Sequence, residues 1–289
     1  MTLQPGRLGK TPRERWPRPV DWRRRWLRRA LVTVVLLYVG ILIVAPIAGL
    51  VAGALAQGLG PVLATFRDPQ VQKAFGLTLR ISLLVVAIQA VFGTAVAWML
   101  VRDDFRGKKF INGLIDLPFA VSPVVVGYML LLLFGRQGLF APVLQTLDMR
   151  VAFAVPGMAL ATLFVTLPFM IRELVPILQA FGVQQEQAAA TLGASGWTTF
   201  RRITLPALRW GFIYGVTLTL ARALGEFGAV LVIGGGIQGR TETATLYIYR
   251  ALDERQYVAA YSAALALGLF SLLLVLGTEL LRRREESRQ

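Results

Sequence analysis

At 289 residues, 55% hydrophobic and only 16% charged, with six long uncharged stretches, the chain reads as a polytopic membrane protein rather than a water-soluble globule. Its 31 Lys and Arg against 16 Asp and Glu leave a formal net charge of +15, while cysteine and histidine are both missing. That composition excludes disulfides, thiolate nucleophiles and imidazole-based metal or triad chemistry.

Residues 1–29 form a basic tail with ten Lys and Arg. Its Gly6-Arg7-Leu8-Gly9-Lys10-Thr11 ends like a phosphate-binding loop, but the motif needs a glycine at position 4, where Gln4 stands. With no strand before it and Pro12 and Pro17 after it, the segment reads as a basic tail, and the chain has no nucleotide site of its own. Trp22-Arg23-Arg24-Arg25-Trp26 fits a lipid-headgroup anchor. No nucleic-acid partner is expected, because phosphate contacts need a folded basic face.

The first apolar segment, residues 30–56, exceeds the apolar region of a cleaved signal and follows an overlong basic tail, so it reads as a retained span. An extracytoplasmic loop, 57–75, leads to a core over 76–281 with five more spans, followed by a short tail, 282–289. The uncharged windows of that core are 81–101, 117–135, 151–171, 210–230 (interrupted by Arg222 and Glu226) and 256–278. At about 1.5 Å rise per residue each crosses roughly 30 Å of hydrocarbon as a helix. The runs are continuous rather than alternating, which argues against strands. An all-α fold of six transmembrane helices follows.

Arg80 opens the second span and can snorkel, and Asp116 stands near the start of the third. The third span carries Leu117-Pro118-Phe119-Ala120-Val121-Ser122-Pro123-Val124-Val125. Pro118 and Pro123 remove two backbone donors and free carbonyls, so a broken helix facing protein or a water-filled cavity is expected there. Pro168, in Thr166-Leu167-Pro168-Phe169, is expected to break the fourth span similarly.

Between the fourth and fifth spans lies a polar stretch of small residues, 184–206. Gln184 to Leu192 is rich in helix formers, and Gly193 suits a left-handed position past a helix end. Ser195 can cap a second short helix, and Pro206 ends it or begins the next element. A helical hairpin between two membrane spans implies a partner that docks on it.

On the fifth span Arg222 and Glu226 are four residues apart, on one face, where they can pair. Two readings stand: an ion pair that locks helices together, or a pair that lines a pathway. Gly234-Gly235-Gly236 beyond it suits a mobile outer mouth. Basic residues crowd the tail 1–29, the connection 102–109, the hairpin region 172–209 and the segment after 281, and are sparser in 57–75, 136–150 and 236–256. By the positive-inside rule both termini and the hairpin are cytoplasmic.

The hairpin resembles the coupling motif of type I ABC-importer permeases, Glu-Ala-Ala-x3-Gly-x9-Ile-x-Leu-Pro. Ala188, Ala189, Gly193, Ile203, Leu205 and Pro206 match; Gln187 stands where the family has glutamate, and Glu186 lies one residue earlier. Residues 116–125, 169–176 and 222–230 resemble one branch, the CysW-type permeases of bacterial sulfate/thiosulfate importers. The resemblance spans roughly residues 30–280. It implies a type I permease fold in the bacterial plasma (inner) membrane that supplies half of a translocation pathway without catalysis. It also implies a cytoplasmic ABC ATPase dimer carrying ATP and Mg, a CysT-type second permease, and an extracytoplasmic sulfate-binding protein. No cofactor is expected on this chain. Rival readings are a molybdate or tungstate permease, an ion-coupled carrier, which needs no ATPase dock, and an intramembrane enzyme using Asp116 and Glu226. The enzyme reading lacks a nucleophile–base constellation.

Overall fold

The computed structural model describes residues 22–286, so the phosphate-loop look-alike and most of the basic tail lie outside the described residues. Among the described residues the chain is helical throughout, with no strand. It divides into two compact units, 1–49 and 50–289. The first is described from Trp22 as part of helix α1 (Trp22–Leu55), whose side chains from Trp26 to Gly49 are exposed or half-exposed. An apolar circumference of that kind belongs in lipid.

The second unit takes in the end of α1 and continues with α2 (Leu59–Arg67) and α3 (Pro69–Arg102). Asp68 starts α3: its carboxylate accepts the Gln70 N–H at 2.8 Å, and Pro69 takes the first-turn position, where a missing donor costs nothing. The second span therefore starts a dozen residues before its uncharged window, and Arg80 lies inside the helix rather than opening it. There follow α4 (Lys108–Ala120), α5 (Pro123–Phe134), α6 (Ala141–Thr146) and α7 (Val155–Phe181). The hairpin holds α8 (Gln184–Thr191) and α9 (Gly196–Thr199), and a π-turn (Phe200–Thr204) leads into α10 (Leu205–Leu224). Last come α11 (Gly228–Gly234), α12 (Ala244–Asp253) and α13 (Tyr257–Glu286).

Among the described residues five helices are long and apolar enough to cross a membrane; α4 and α5, bent by 112° at their junction, make a sixth span if counted as one. The break falls at Val121–Ser122. Pro118 sits inside α4 without ending it, and Pro123 begins α5. The expected break at Pro168 does not occur, because α7 runs unbroken through Pro168 and Pro176. Side chains supply extra donors to carbonyls of the turn before Pro168. The buried Gln89 of α3 donates its Nε2–H to the Leu163 carbonyl at 2.9 Å, and Thr166 Oγ1 donates to the Thr162 carbonyl at 2.7 Å. They reach the Leu163 and Thr162 carbonyls, one and two residues before the Phe164 carbonyl that Pro168 cannot serve. The fifth span is also corrected: α10 stops at Leu224, and residues 225–227 are not helical.

Helices α3, α7 and α10 form the centre, and small residues set their spacing. A Cβ at Gly93 would lie 2.9 Å from Met170 Cβ, one at Gly215 2.8 Å from Met170 Sδ, and one at Gly211 2.0 Å from Ile177 Cδ1. In a membrane, where helix association gains nothing from excluding lipid tails, such close approach supplies the dispersion contact. Met170, Ile171, Leu174, Leu178 and Leu208 fill one end of this centre. At the other end Met158, Val85, Val230 and Ile233 carry it towards α5, α11 and α12.

Arg250 ties α12 to the segment before it. Its Nε lies 2.7 Å from Glu242 Oε1, its Nη1 2.9 Å from Glu254 Oε2, and its guanidinium 5.3 Å from the Tyr247 ring centroid. The Glu242 hydrogen bond is the main influence holding the guanidinium pKa above its ordinary value. Because the Glu242 side chain is only 3% exposed, Arg250→Leu strands a buried carboxylate. A loss of about 3 kcal/mol is expected, read as a lower melting temperature of the purified protein, with part regained on adding Glu242→Gln.

Candidate functional site

The α4–α5 break opens a cavity of about 560 Å³, walled by residues 118–123, Val165, Phe169 and Arg222. The break satisfies its own backbone where it can: Val121 N–H reaches the Leu117 carbonyl at 3.1 Å, and the Ser122 carbonyl accepts from Val126 N–H at 3.1 Å. The rings of Phe119 and Phe169 meet edge-on at 5.5 Å on the cavity wall. Pro123, the first residue of α5, also forms part of that wall, so the positive end of the α5 dipole lies beside it.

Arg222 brings the charge. It lies in the last turn of α10, its side chain 29% exposed, with Nη1 2.7 Å from Oε2 of Glu226, whose side chain is 2% exposed. The pairing expected from sequence is present, but not along one helix. Gly225 ends α10, and Glu226 turns back: its Oε1 accepts the Ala229 N–H at 3.0 Å, serving the first turn of α11. The Glu226 carbonyl accepts from Thr245 Oγ1 at 2.7 Å. Thr78, Ser82, Thr162 and Thr243 line a small space together with Glu226. Sequence reading missed this nest, since its members come from three distant segments. One partner is thus sunk in the protein while the other reaches a cavity.

Asp116 is held by Arg172 of α7, which donates from Nε to Oδ1 at 2.7 Å and from Nη2 to Oδ2 at 2.5 Å. The pair fastens α4 to α7, leaving Asp116 and Glu226 on separate partners. Sequence reading named Asp116 but not its arginine, 56 residues away.

The hairpin folds as its residues dictate. Gly193 takes φ +83°, Ala194 N–H reaches the Ala189 carbonyl at 3.0 Å, and Gly193 N–H reaches that of Ala190 at 3.0 Å, a Schellman ending to α8. Ser195 Oγ accepts from Thr198 N–H at 3.3 Å and caps α9. Pro206 opens α10 rather than closing α9. Gln187, Ala188, Leu205 and Pro206 are exposed and Ile203 is half-buried. Ala189, by contrast, is buried. Glu186 turns inward to Arg102. The surface instead offers Leu192, 89% exposed, and Trp197, 70% exposed. A large apolar pair flanking a glycine turn is the sequence signal for this surface.

The space around Gly193 is open, so a substitution there is felt through the backbone alone. Gly193→Val should cost about 1–2 kcal/mol locally, while Gly193→Asn, which tolerates left-handed geometry, should cost little. Hydrogen exchange of amides 189–195 checks this, with faster exchange expected only in the valine variant.

The family model for the "binding-protein-dependent transport system inner membrane component" matches residues 89–287. The chain is 46% identical over 255 residues to the sulfate transport system permease protein CysW of Synechococcus elongatus, covering 88% of this chain and 89% of that one. It is 40% identical over 272 residues to CysW of Escherichia coli, covering 94% and 92%. With the sulfate transport permease CysT of the same organism it shares 35% over 249 residues, covering 86% and 90%. In fold it resembles a chain of a bacterial alginate ABC transporter solved with an alginate-bound periplasmic protein. That match has TM-score 0.76 at 22% identity and covers 91% of this chain and 96% of that one.

Proposed function

Because this chain belongs to the family of binding-protein-dependent transport system inner membrane components, we propose that it is a permease subunit of an ATP-driven sulfate importer. It is a multi-pass inner-membrane protein. In this reading it provides half of the pathway for sulfate or thiosulfate, beside a CysT-type permease. An extracytoplasmic binding protein delivers the anion, and a cytoplasmic ATPase dimer, which carries the ATP and Mg, docks on the hairpin. The similarity to both CysW and CysT proteins supports the paired arrangement.

One observation carries the pathway assignment: Arg222 reaches the cavity at the broken span while its counterion is buried behind it. A dianion entering the cavity meets a guanidinium already aimed and partly neutralised. Full positive charge would hold a dianion too long for transport, and Glu226 tempers it; a pathway site must bind weakly enough to release. At another place in the fold Arg136, Arg150 and Arg240 share a cavity of about 570 Å³ with Asp148, and their excess positive charge would concentrate anions there. On the hairpin, Leu192 and Trp197 supply the apolar surface that a docking groove would cover, and Ala188 permits close approach.

Folded yield and uptake measured together test the pair. Arg222→Leu should lower folded yield by leaving Glu226 without its counterion. Adding Glu226→Leu should restore part of the yield but not uptake. Normal uptake in the double variant would remove Arg222 from the pathway. Orientation has its own test, because the chain contains no cysteine. A cysteine replacing Arg240 should react with an impermeant maleimide in intact cells, and one replacing Thr198 should not; the reverse pattern would invert the topology.

A further inference from the structure

The hairpin joins the membrane helices through two yielding connections. At one end Gly182, with φ +71°, separates α7 from α8. At the other the π-turn Phe200–Thr204, a looser winding than the α-helix, leads into α10. Two such joints alone would let the hairpin rock without moving the spans.

One ion pair bridges both joints. Arg102, the last residue of α3, donates from Nη2 to the Gly182 carbonyl at 2.6 Å and from Nη1 to that of Leu178 at 3.4 Å. The same Nη2 donates to Glu186 Oε1 at 3.1 Å, and Nε lies 3.0 Å from Glu186 Oε2. Glu186 in turn accepts from Thr204 Oγ1 at 2.8 Å, on the π-turn itself. Both ionic side chains are nearly buried, at 10% and 13% exposure, and the guanidinium sits 5.7 Å from the Trp98 ring centroid. Trp98 is in edge contact with Phe200 at 5.3 Å, which adds a second tie to the π-turn. The ends of α3 and α7 and the helix α8 thus meet on one planar fork, and the π-turn joins them through Glu186.

We infer that Arg102 and Glu186 are positioning residues for energy coupling: they clasp the hairpin to α3, so that its displacement moves α3 and α7 with it. The inference rests on the importer reading above, since it presumes an ATPase that pushes the hairpin. It also gives the one-residue shift of the motif's acid a physical sense. Gln187 is exposed, whereas an acid at 186 faces inward and pairs within the chain. An arginine is needed, because a lysine cannot hold two carbonyls and a carboxylate with one planar head.

The test uses the complete transporter in proteoliposomes, with its second permease, ATPase and binding protein, and reads sulfate taken up per ATP hydrolysed. Arg102→Gln and Glu186→Gln should each lower that ratio by about tenfold, the scale of losing a charge-assisted bond between nearly buried groups. The double variant should be no worse than either single one. Thr204→Val, which deletes only the hydroxyl, should lower the ratio by about threefold and keeps the test open if an Arg102 variant does not fold. A purely structural clasp would reduce uptake and hydrolysis together, and an unchanged ratio in well-folded variants overturns the inference. Additive losses in the double variant overturn it as well. Absence of ATP-driven sulfate uptake by the wild-type complex would instead strike at the importer reading.

Discussion

A backbone that leaves the helix inside hydrocarbon must find every hydrogen-bond partner within the protein, and this constraint organises the structure. The chain leaves the helix at 121–122 and again at 225–227. The first is served by local backbone caps and the second by side chains as well. Glu226 is central, with one carboxylate oxygen on the Ala229 N–H, the other beside Arg222, and its carbonyl taken by Thr245. The polar groups that permit the second break therefore also place a cation at the first. Breaking the spans and building an anion-attracting cavity are one structural act.

Close helix packing is the complement of that arrangement. Broken spans contribute less continuous contact, and α3, α7 and α10 compensate by approaching at Gly93, Gly211 and Gly215 against Met170 and Ile177. The short helices are fixed in the same way: a Cβ on Gly127 of α5 would lie 2.8 Å from the Ala229 carbonyl of α11. The cavity wall is thus rigid on one side through α5–α11 contact and polar on the other through Arg222. At the hairpin end the economy differs. There the chain can be solvated, and the rigid element is an ionic clasp rather than a glycine seam, since Arg102 gathers two carbonyls and a carboxylate.

The sequence by itself determined the all-helical membrane class, the number of spans, the helix break near Pro123, the glycine turn at 193 and the pairing of Arg222 with Glu226. Each follows from near-neighbour physics: apolar length against bilayer thickness, a missing donor, a left-handed φ, a four-residue spacing. Tertiary structure alone decided whether Pro168 would break its helix, which runs unbroken to Phe181 in the packed bundle. It decided that α10 would stop at Leu224, that Ala189 would face inward, and that Asp116 and Glu186 would take Arg172 and Arg102 as partners. Those partners lie 56 and 84 residues away, and no local pattern selects among thirty-one cations. A buried charge or an orphaned carbonyl demands a partner, but which residue answers is set by the helix packing that brings it within about 3 Å.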